Sequence, residues 1–357
     1  MENKNENNYN LKKKKIILRQ SLSGIIFARA CCSIGIVIFH FFCHSKGEIK
    51  LLLLTANSSW GFMFVTAFFS ISGTVLYYNY PKLYSKRSFY FKRWKSIFPP
   101  FYICFILFFI KNIFMHHKIF YNGHWIKLFW TLFGLDGYFI YRIKSYHLIG
   151  EWFLGAIIII YILYPLLVWL MNKNILIIHC ITSLFYLLMY YTNFFIIKKS
   201  RNIFTCINSF YFGMLGIKFY NLFFRNQATF IISFLLLVFL CLKRISNIIL
   251  IFQIQGFLLF IVLVQIGKKI MKCRIKVLFI EISSLSYNIF LFHHKIILDI
   301  LDIINPINWF LNILLLLIII MITIIFSKIL FLVVNIIMNS KCCKKLEGMF
   351  IKNNIFI

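Results

Sequence analysis

A few side chains inside long apolar runs are of types that do chemistry. Arg29 and His40 stand eleven residues apart on one predicted helix. Eleven steps of about 100° overshoot three full turns by roughly 20°, so both project from one face, about 16 Å apart along the axis. An ionisable group in hydrocarbon costs a few kcal/mol or more and is a functional candidate by default. A guanidinium at one level can hold an anion while a neutral imidazole further along accepts a proton near neutral pH. The alternatives are that Arg29 snorkels to the interface and that His40 is a hydrogen-bonded structural histidine.

Three further groups share this ambiguity. Lys92, Arg93 and Lys95, followed by Ser96 and the pair Pro99-Pro100 at the start of a third span, suit a phosphorylated cytosolic substrate. The same cations would equally serve as anchors on the cytoplasmic side. In Gly150-Glu151-Trp152-Phe153 a carboxylate lies beside an aromatic plate, a pairing that suits a polyhydroxyl ligand or an interfacial aromatic belt. Ser286-Tyr287 and His293-His294 fall within a ninth span, as interhelical hydrogen-bond partners or as pocket lining. No Ser/His/Asp triad is readable. The ten cysteines follow neither a disulfide framework nor a zinc spacing, so no metal and no bound cofactor is expected.

These residues need an all-α scaffold in lipid. The chain of 357 residues is 61% hydrophobic and only 13% charged, with mean hydropathy +0.85, which excludes an ordinary soluble domain. Apolar runs near the twenty residues that cross a hydrocarbon core of ~30 Å predict a polytopic transmembrane helical bundle. Its spans are placed near 24–43, 58–79, 97–114, 150–171, 175–194, 203–223, 228–243, 246–266, 278–298 and 308–338. One transmembrane domain, 21–338, lies between a basic N-terminal tail, 1–20, and a basic C-terminal tail, 339–357. The net charge of +30 sits mainly in short connectors and at the ends, the positive-inside pattern and not a nucleic-acid patch. Ten spans with both termini cytoplasmic puts the densest basic loops inside. Lys198, Lys199 and Arg201, then Lys243 and Arg244, oppose that rule. The connector 115–149 then lies outside, with an interfacial helix around Trp125 to Leu132.

Several of these residues carry a resemblance. Arg29 with His40, and Phe68-Phe69-Ser70-Ile71-Ser72-Gly73, are similar to the first- and second-helix motifs of the acyltransferase 3 family of integral membrane acyltransferases. Arg93-Trp94-Lys95-Ser96-Ile97-Phe98-Pro99 resembles the family's Arg-x-x-Arg-Ile-x-Pro, with Ser96 where the second Arg often stands. Lys95 beside it supplies a point charge without bidentate phosphate binding. Glu151-Trp152-Phe153-Leu154 with Tyr161-x-x-x-Pro165, and Ser286-Tyr287-x-x-Phe290-Leu291-x-His293, resemble two later landmarks. The order is collinear over roughly 24 to 335.

The resemblance implies acyl transfer, commonly acetyl, from a cytosolic acyl-CoA co-substrate to a hydroxyl of a carbohydrate or lipid-linked glycan at the envelope, in a bacterial cytoplasmic membrane. Lys92, Arg93 and Lys95 would hold the CoA phosphates and His40 would be the general base. Arg29, Ser72 or backbone donors would meet the oxyanion, and Glu151, Trp152, Ser286, Tyr287 and His293 would line the acceptor site. The competing reading is a secondary transporter or flippase of glycan intermediates; paired repeats and matched broken helices, its usual signs, are not visible.

Overall fold

The computed structural model describes residues 2–46, 60–117, 125–142, 149, 152–192, 195–243, 249–306, 308–340 and 343, with side chains from residue 23 onward. Among these residues the chain is helical, without strands. The elements are α1 (Glu2–His44), α2 (Gly61–Asn79), α3 (Lys86–His116), α4 (Leu128–Leu132), α5 (Asp136–Phe139), α6 (Trp152–Lys173), α7 (Ile175–Tyr191), α8 (Ile203–Lys218), α9 (Gln227–Leu242), α10 (Ile249–Ile270), α11 (Lys276–Ile303) and α12 (Trp309–Met338). Six of them are long and apolar enough to cross a membrane: Ser23–His44 of α1, α2, Lys86–Met115 of α3, α6, α10 and α12. α7 and α9 are shorter apolar helices; α11 carries polar side chains that face the interior site described below, and α8 packs against α2.

Asparagine marks where many of these helices begin. The side chains of Asn174, Asn202, Asn226 and Asn308 accept hydrogen bonds from the backbone N–H groups of Leu176, Phe204, Ala228 and Phe310, capping α7, α8, α9 and α12. Each satisfies an N–H that has no intrahelical acceptor, which in hydrocarbon would be costly. Ser85 caps α3 in the same way through Ser88 N–H.

α3 corrects one expectation. Its helix begins at Lys86, eleven residues before the predicted start of the third span at 97, and Pro99-Pro100 lies inside it. Ser85 supplies the start signal. Pro99 and Pro100 give no N–H to the carbonyls of Lys95 and Ser96, and the next carbonyl, that of Ile97, accepts a hydrogen bond from the Tyr287 hydroxyl at 3.1 Å. The expected interfacial helix is present as a 3₁₀ turn, Trp125–Lys127, running into α4. The sixth predicted span divides into α8 and a π-helical turn, Asn221–Arg225.

In the core α1 packs against α2, α10 and α11, and α8 packs against α2, α6 and α7. α1 and α11 run side by side in the same direction, from Phe27 against Phe279 to His40 against His293, with ring centroids 4.6 and 5.0 Å apart. α2 and α8 approach more closely. Ser70 Oγ donates to the Ser209 carbonyl at 3.0 Å and Thr74 Oγ1 to the Gly213 carbonyl at 2.8 Å. Small residues permit this contact: a Cβ on Gly73 would stand 1.9 Å from the Phe210 carbonyl oxygen, and one on Gly213 1.8 Å from that of Ser70. Close backbone approach through small residues is a usual route to helix association in lipid, where lipid tails are as apolar as leucine. Facing outward, α9 and α12 expose Leu235, Phe239, Leu317, Met321 and Ile336, a surface matched to hydrocarbon rather than to water.

Candidate functional site

Between these helices lies a cavity of about 590 Å³, within the range of small-molecule sites. α1 contributes one stripe to it: Arg29, Ser33, Ile36 and His40 all line the wall. Spacings of four, three and four residues keep them on one helical face, so the predicted sharing of a face by Arg29 and His40 is realised. α11 contributes Ser286, Phe290 and His293 by the same rule, together with Tyr287 and Ile289. α2 presents Phe68, Ser72 and Val75, while Gly73, one residue on, turns to the α8 contact. The Ser72-Gly73 motif thus splits into a wall residue and a packing residue.

The two ends of the cavity differ. Toward the start of α3 stand Arg93, Ser96 and Tyr161. Arg93 lies over the rings of Tyr80 and Tyr161, with its guanidinium carbon 5.7 and 5.8 Å from their centroids. Its Nε is buried and has no hydrogen-bond partner among the described residues. Lys92 and Lys95 do not line the cavity. Lys92 Nζ lies 6.0 Å from the centroid of the same Tyr80 ring, outside the cavity wall, whereas Ser96, three residues on from Arg93, returns to its side of the helix. Ser96 Oγ donates to the Arg93 carbonyl at 2.9 Å.

The other end is bounded by Gly61, Phe62, Trp152, Lys198, Ser200 and Arg201. Arg201 sits with its guanidinium carbon 5.8 Å from the Trp152 ring centroid, a cation–π arrangement. The charges of 198–201 that opposed the positive-inside pattern are therefore partly accounted for: Lys198 and Arg201 face the cavity, while Lys199 turns to the Tyr190 ring and its carbonyl.

His40 and His293 adjoin this second end, where the Phe39 ring beside His40 packs on Gly61. His293 is 1% exposed, and its Nδ1 is 3.1 and 2.9 Å from the carbonyl oxygens of Ile289 and Phe290. Carbonyls only accept, so Nδ1 carries the proton and Nε2 holds the lone pair in the neutral ring. Phe153 and Phe290, centroids 5.4 Å apart, form part of the apolar wall.

Of the eleven predicted site residues, eight line this one cavity: Arg29, His40, Ser72, Arg93, Trp152, Ser286, Tyr287 and His293. Glu151 lies outside the described residues. Sequence reasoning missed Ser33, Tyr161, Lys198 and Arg201 as wall residues. Ser33 was accessible through its i+4 relation to Arg29, and Lys198 and Arg201 through their anomalous charge. It also missed a histidine cluster at the end of α1, where His40, His44 and His294 bring ligand atoms within 4.8 Å of one another. His44, four residues past His40, was visible as its helical neighbour.

The cavity wall carries four cationic side chains, Arg29, Arg93, Lys198 and Arg201, and no carboxylate among the described lining residues. Such a site can hold an anion, and the histidines beside it can accept and return a proton. No curated protein and no solved structure matches the chain in comparison. The acyltransferase domain family matches residues 22–332, which contain every helix of the bundle except the first turns of α1 and the last of α12. The chain belongs to the acyltransferase 3 family of integral membrane acyltransferases.

Proposed function

We propose that the protein is a membrane O-acyltransferase that moves an acyl group, in the first instance acetyl, from acyl-CoA to a hydroxyl of a cell-envelope carbohydrate or lipid-linked glycan. The observation that carries this reading is the cavity's charge: four cations and no described carboxylate. Buried charge without a counter-ion is expensive, so the occupant that fits best brings its own anions, as the phosphates of CoA do. A transported neutral sugar would leave those cations uncompensated.

The basic ends of α1 and α3 suit the donor. Arg29 and the buried Nε of Arg93 are placed for charge-assisted hydrogen bonds to phosphate or to the thioester region, and Lys92 and Lys95 lend longer-range attraction from the surface. This basic end faces the cytoplasm by the positive-inside rule, which sets both termini inside a bacterial cytoplasmic membrane. Trp152, Ser200 and Arg201 then meet the acceptor near the opposite face, since aromatic plates and paired donors suit a hydroxylated ring.

In the transfer step the acceptor hydroxyl oxygen attacks the thioester carbonyl carbon while His40 takes the hydroxyl proton. The carbon–sulfur bond breaks on collapse of the tetrahedral intermediate, and His40 returns the proton to the departing sulfur, giving ester and CoA thiol. The oxyanion draws on Arg29 or Ser72. His293, whose Nδ1 faces the Ile289 and Phe290 carbonyls and leaves Nε2 toward the site in the neutral ring, stands 5.0 Å from His40 between ring centroids and would favour the imidazolium form that His40 passes through.

The test uses the full chain in lipid nanodiscs with acetyl-CoA and envelope glycan, following CoA thiol release and the acetyl mass increment on the glycan. Folded His40→Ala is expected to lose activity by roughly 10²–10⁴-fold. Unchanged transfer by that variant sinks the base assignment. Glycan uptake into vesicles without acyl-CoA favours the transporter instead.

A further inference from the structure

The histidine cluster at the end of α1 is not needed for acyl transfer as a whole: His44 and His294 stand outside the cavity wall, and only His40 belongs to both. His40 and His44 are separated by one helical turn, so their rings stack on one face of α1. His294 reaches the same point from the parallel helix α11. Its ring centroid is 4.7 Å from that of His40 and 5.1 Å from that of His44, with interplanar angles of 33° and 31°. The Nε2 atoms of His44 and His294 are 3.1 Å apart, and one ligand atom from each of the three residues lies within 4.8 Å of the others.

We propose that His40, His44 and His294 form a binding site for a transition-metal ion of the Zn²⁺ class, and that occupation of this site switches acyl transfer off by engaging His40. Zinc–nitrogen bonds of about 2.0–2.1 Å in a tetrahedron put neighbouring ligand nitrogens ~3.3 Å apart. The His44–His294 pair already has nearly that spacing. The remaining nitrogen needs only rotamer adjustment of order 1 Å. Three imidazoles and a fourth, water-filled position are a ligand set known for zinc, and nitrogen donors without carboxylates select against Ca²⁺ and Mg²⁺.

The surroundings hold the cluster in register. Lys46 N–H donates to Asn305 Oδ1 at 2.8 Å, and Asn305 Nδ2 donates to the His44 carbonyl at 3.4 Å. These bonds fasten the end of α1 to the chain just past α11, which keeps His44 beside His294. His44 is exposed while His40 and His294 are half-buried, so an ion enters past His44 and reaches His40 last. A metal needs the lone pair of each imidazole, and the same lone pair on His40 is what would accept the hydroxyl proton. Metal and proton therefore compete for one atom.

The inhibition half rests on the acyltransferase reading, whereas the metal site does not, and the experiment separates them. The purified full chain in nanodiscs, stripped with chelator, is titrated with ZnCl₂ while bound zinc after desalting and the thermal unfolding midpoint are recorded. One zinc per chain and an upward shift in the midpoint are expected. His44→Ala and His294→Ala, with His44→Gln and His294→Gln as milder replacements, are expected to weaken zinc binding at least about tenfold while retaining transfer activity without metal. Zinc should inhibit the parent chain, EDTA should restore it, and the four variants should resist. Absence of stoichiometric zinc, or binding unchanged in the variants, overturns the site. Histidine-dependent binding that leaves transfer undiminished overturns the coupling to His40. Histidine-dependent binding in a protein with no transferase activity upholds the site and removes the acyltransferase reading.

Discussion

The contact between α2 and α8 gives the sharpest prediction, because its geometry fixes the outcome. In Gly73→Ala the new Cβ would begin 1.9 Å from the Phe210 carbonyl oxygen, against 3.4 Å or more for an ordinary contact. The obstacle is backbone, so no side chain can rotate aside and the helices must part by about 1.5 Å. The bonds from Ser70 to Ser209 at 3.0 Å and from Thr74 to Gly213 at 2.8 Å would then stretch to roughly 4.3–4.5 Å, beyond hydrogen-bonding range. Overpacking costs about 1–3 kcal/mol, and since each hydroxyl keeps its intrahelical acceptor, the carbonyls of Thr66 and Ser70 at 3.0 and 2.9 Å, the two shared interhelical bonds add about 1 kcal/mol together. The expected loss is therefore about 2–4 kcal/mol, read as a lower unfolding midpoint in detergent or nanodiscs. Ser72→Ala is the internal control, since Ser72 lies on the cavity wall: it should hold the parent midpoint while changing transfer kinetics. A Gly73→Ala chain as stable as the parent would refute the account of the motif as packing on one face and site on the next.

Arg93→Gln is expected to raise KM for acyl-CoA by roughly 10- to 100-fold, the worth of a charge-assisted hydrogen bond, with Arg93→Lys recovering only part of it; Lys92→Ala and Lys95→Ala, off the cavity wall, should change KM far less, as initial rates against acyl-CoA concentration would tell. Asp136, in α5 outside the spanning segments, gives a pH prediction. Burial raises its carboxyl from an ordinary 3.8 to about 6, opposed by hydrogen bonds from Thr131 and the Gly137 N–H. A raised folded pKa means that stability is fullest below the unfolded value and declines as pH rises from about 4 to 6, by on the order of 3 kcal/mol. Asp136→Asn should flatten that slope and stand above the parent at pH 7; equal slopes in unfolding scans at pH 4, 5, 6 and 7 would count against the burial.

How much was legible follows from which forces act locally. Run length and hydropathy reveal helices in lipid because backbone hydrogen bonds must close within each segment, and ten runs of sixteen residues or more were placed near where α1 to α3 and α6 to α12 occur. Helical period reveals faces, so the Arg29 and His40 stripe could be read and Ser33 could have been added. The same period could have divided Lys92, Arg93 and Lys95, but only once the helix was known to begin at Lys86 rather than at 97. What period cannot reveal is partnership between helices. His294 meets His44 across 250 residues, and Ser70 meets Ser209 across 139. Those pairings depend on how whole helices pack, and small residues such as Gly73 and Gly213 record that packing only once the facing backbone is seen.

Charge links these scales. A membrane protein can afford cations in its interior only where something answers them, and Arg29, Arg93, Lys198 and Arg201 face one cavity without a described carboxylate. They stand in two groups, separated along α1 by the length between Arg29 and His40, about 16 Å. One group adjoins the basic loop end; the other adjoins Trp152 and the chain before α8. A single small anion could satisfy one group and not both. An occupant that spans the cavity, with phosphates at one end and a polar acceptor meeting it near His40, answers both. His40 and His293 stand level with the second group, where Phe39 beside His40 packs on Gly61, so on the proposed reading the bond to be exchanged lies toward that end.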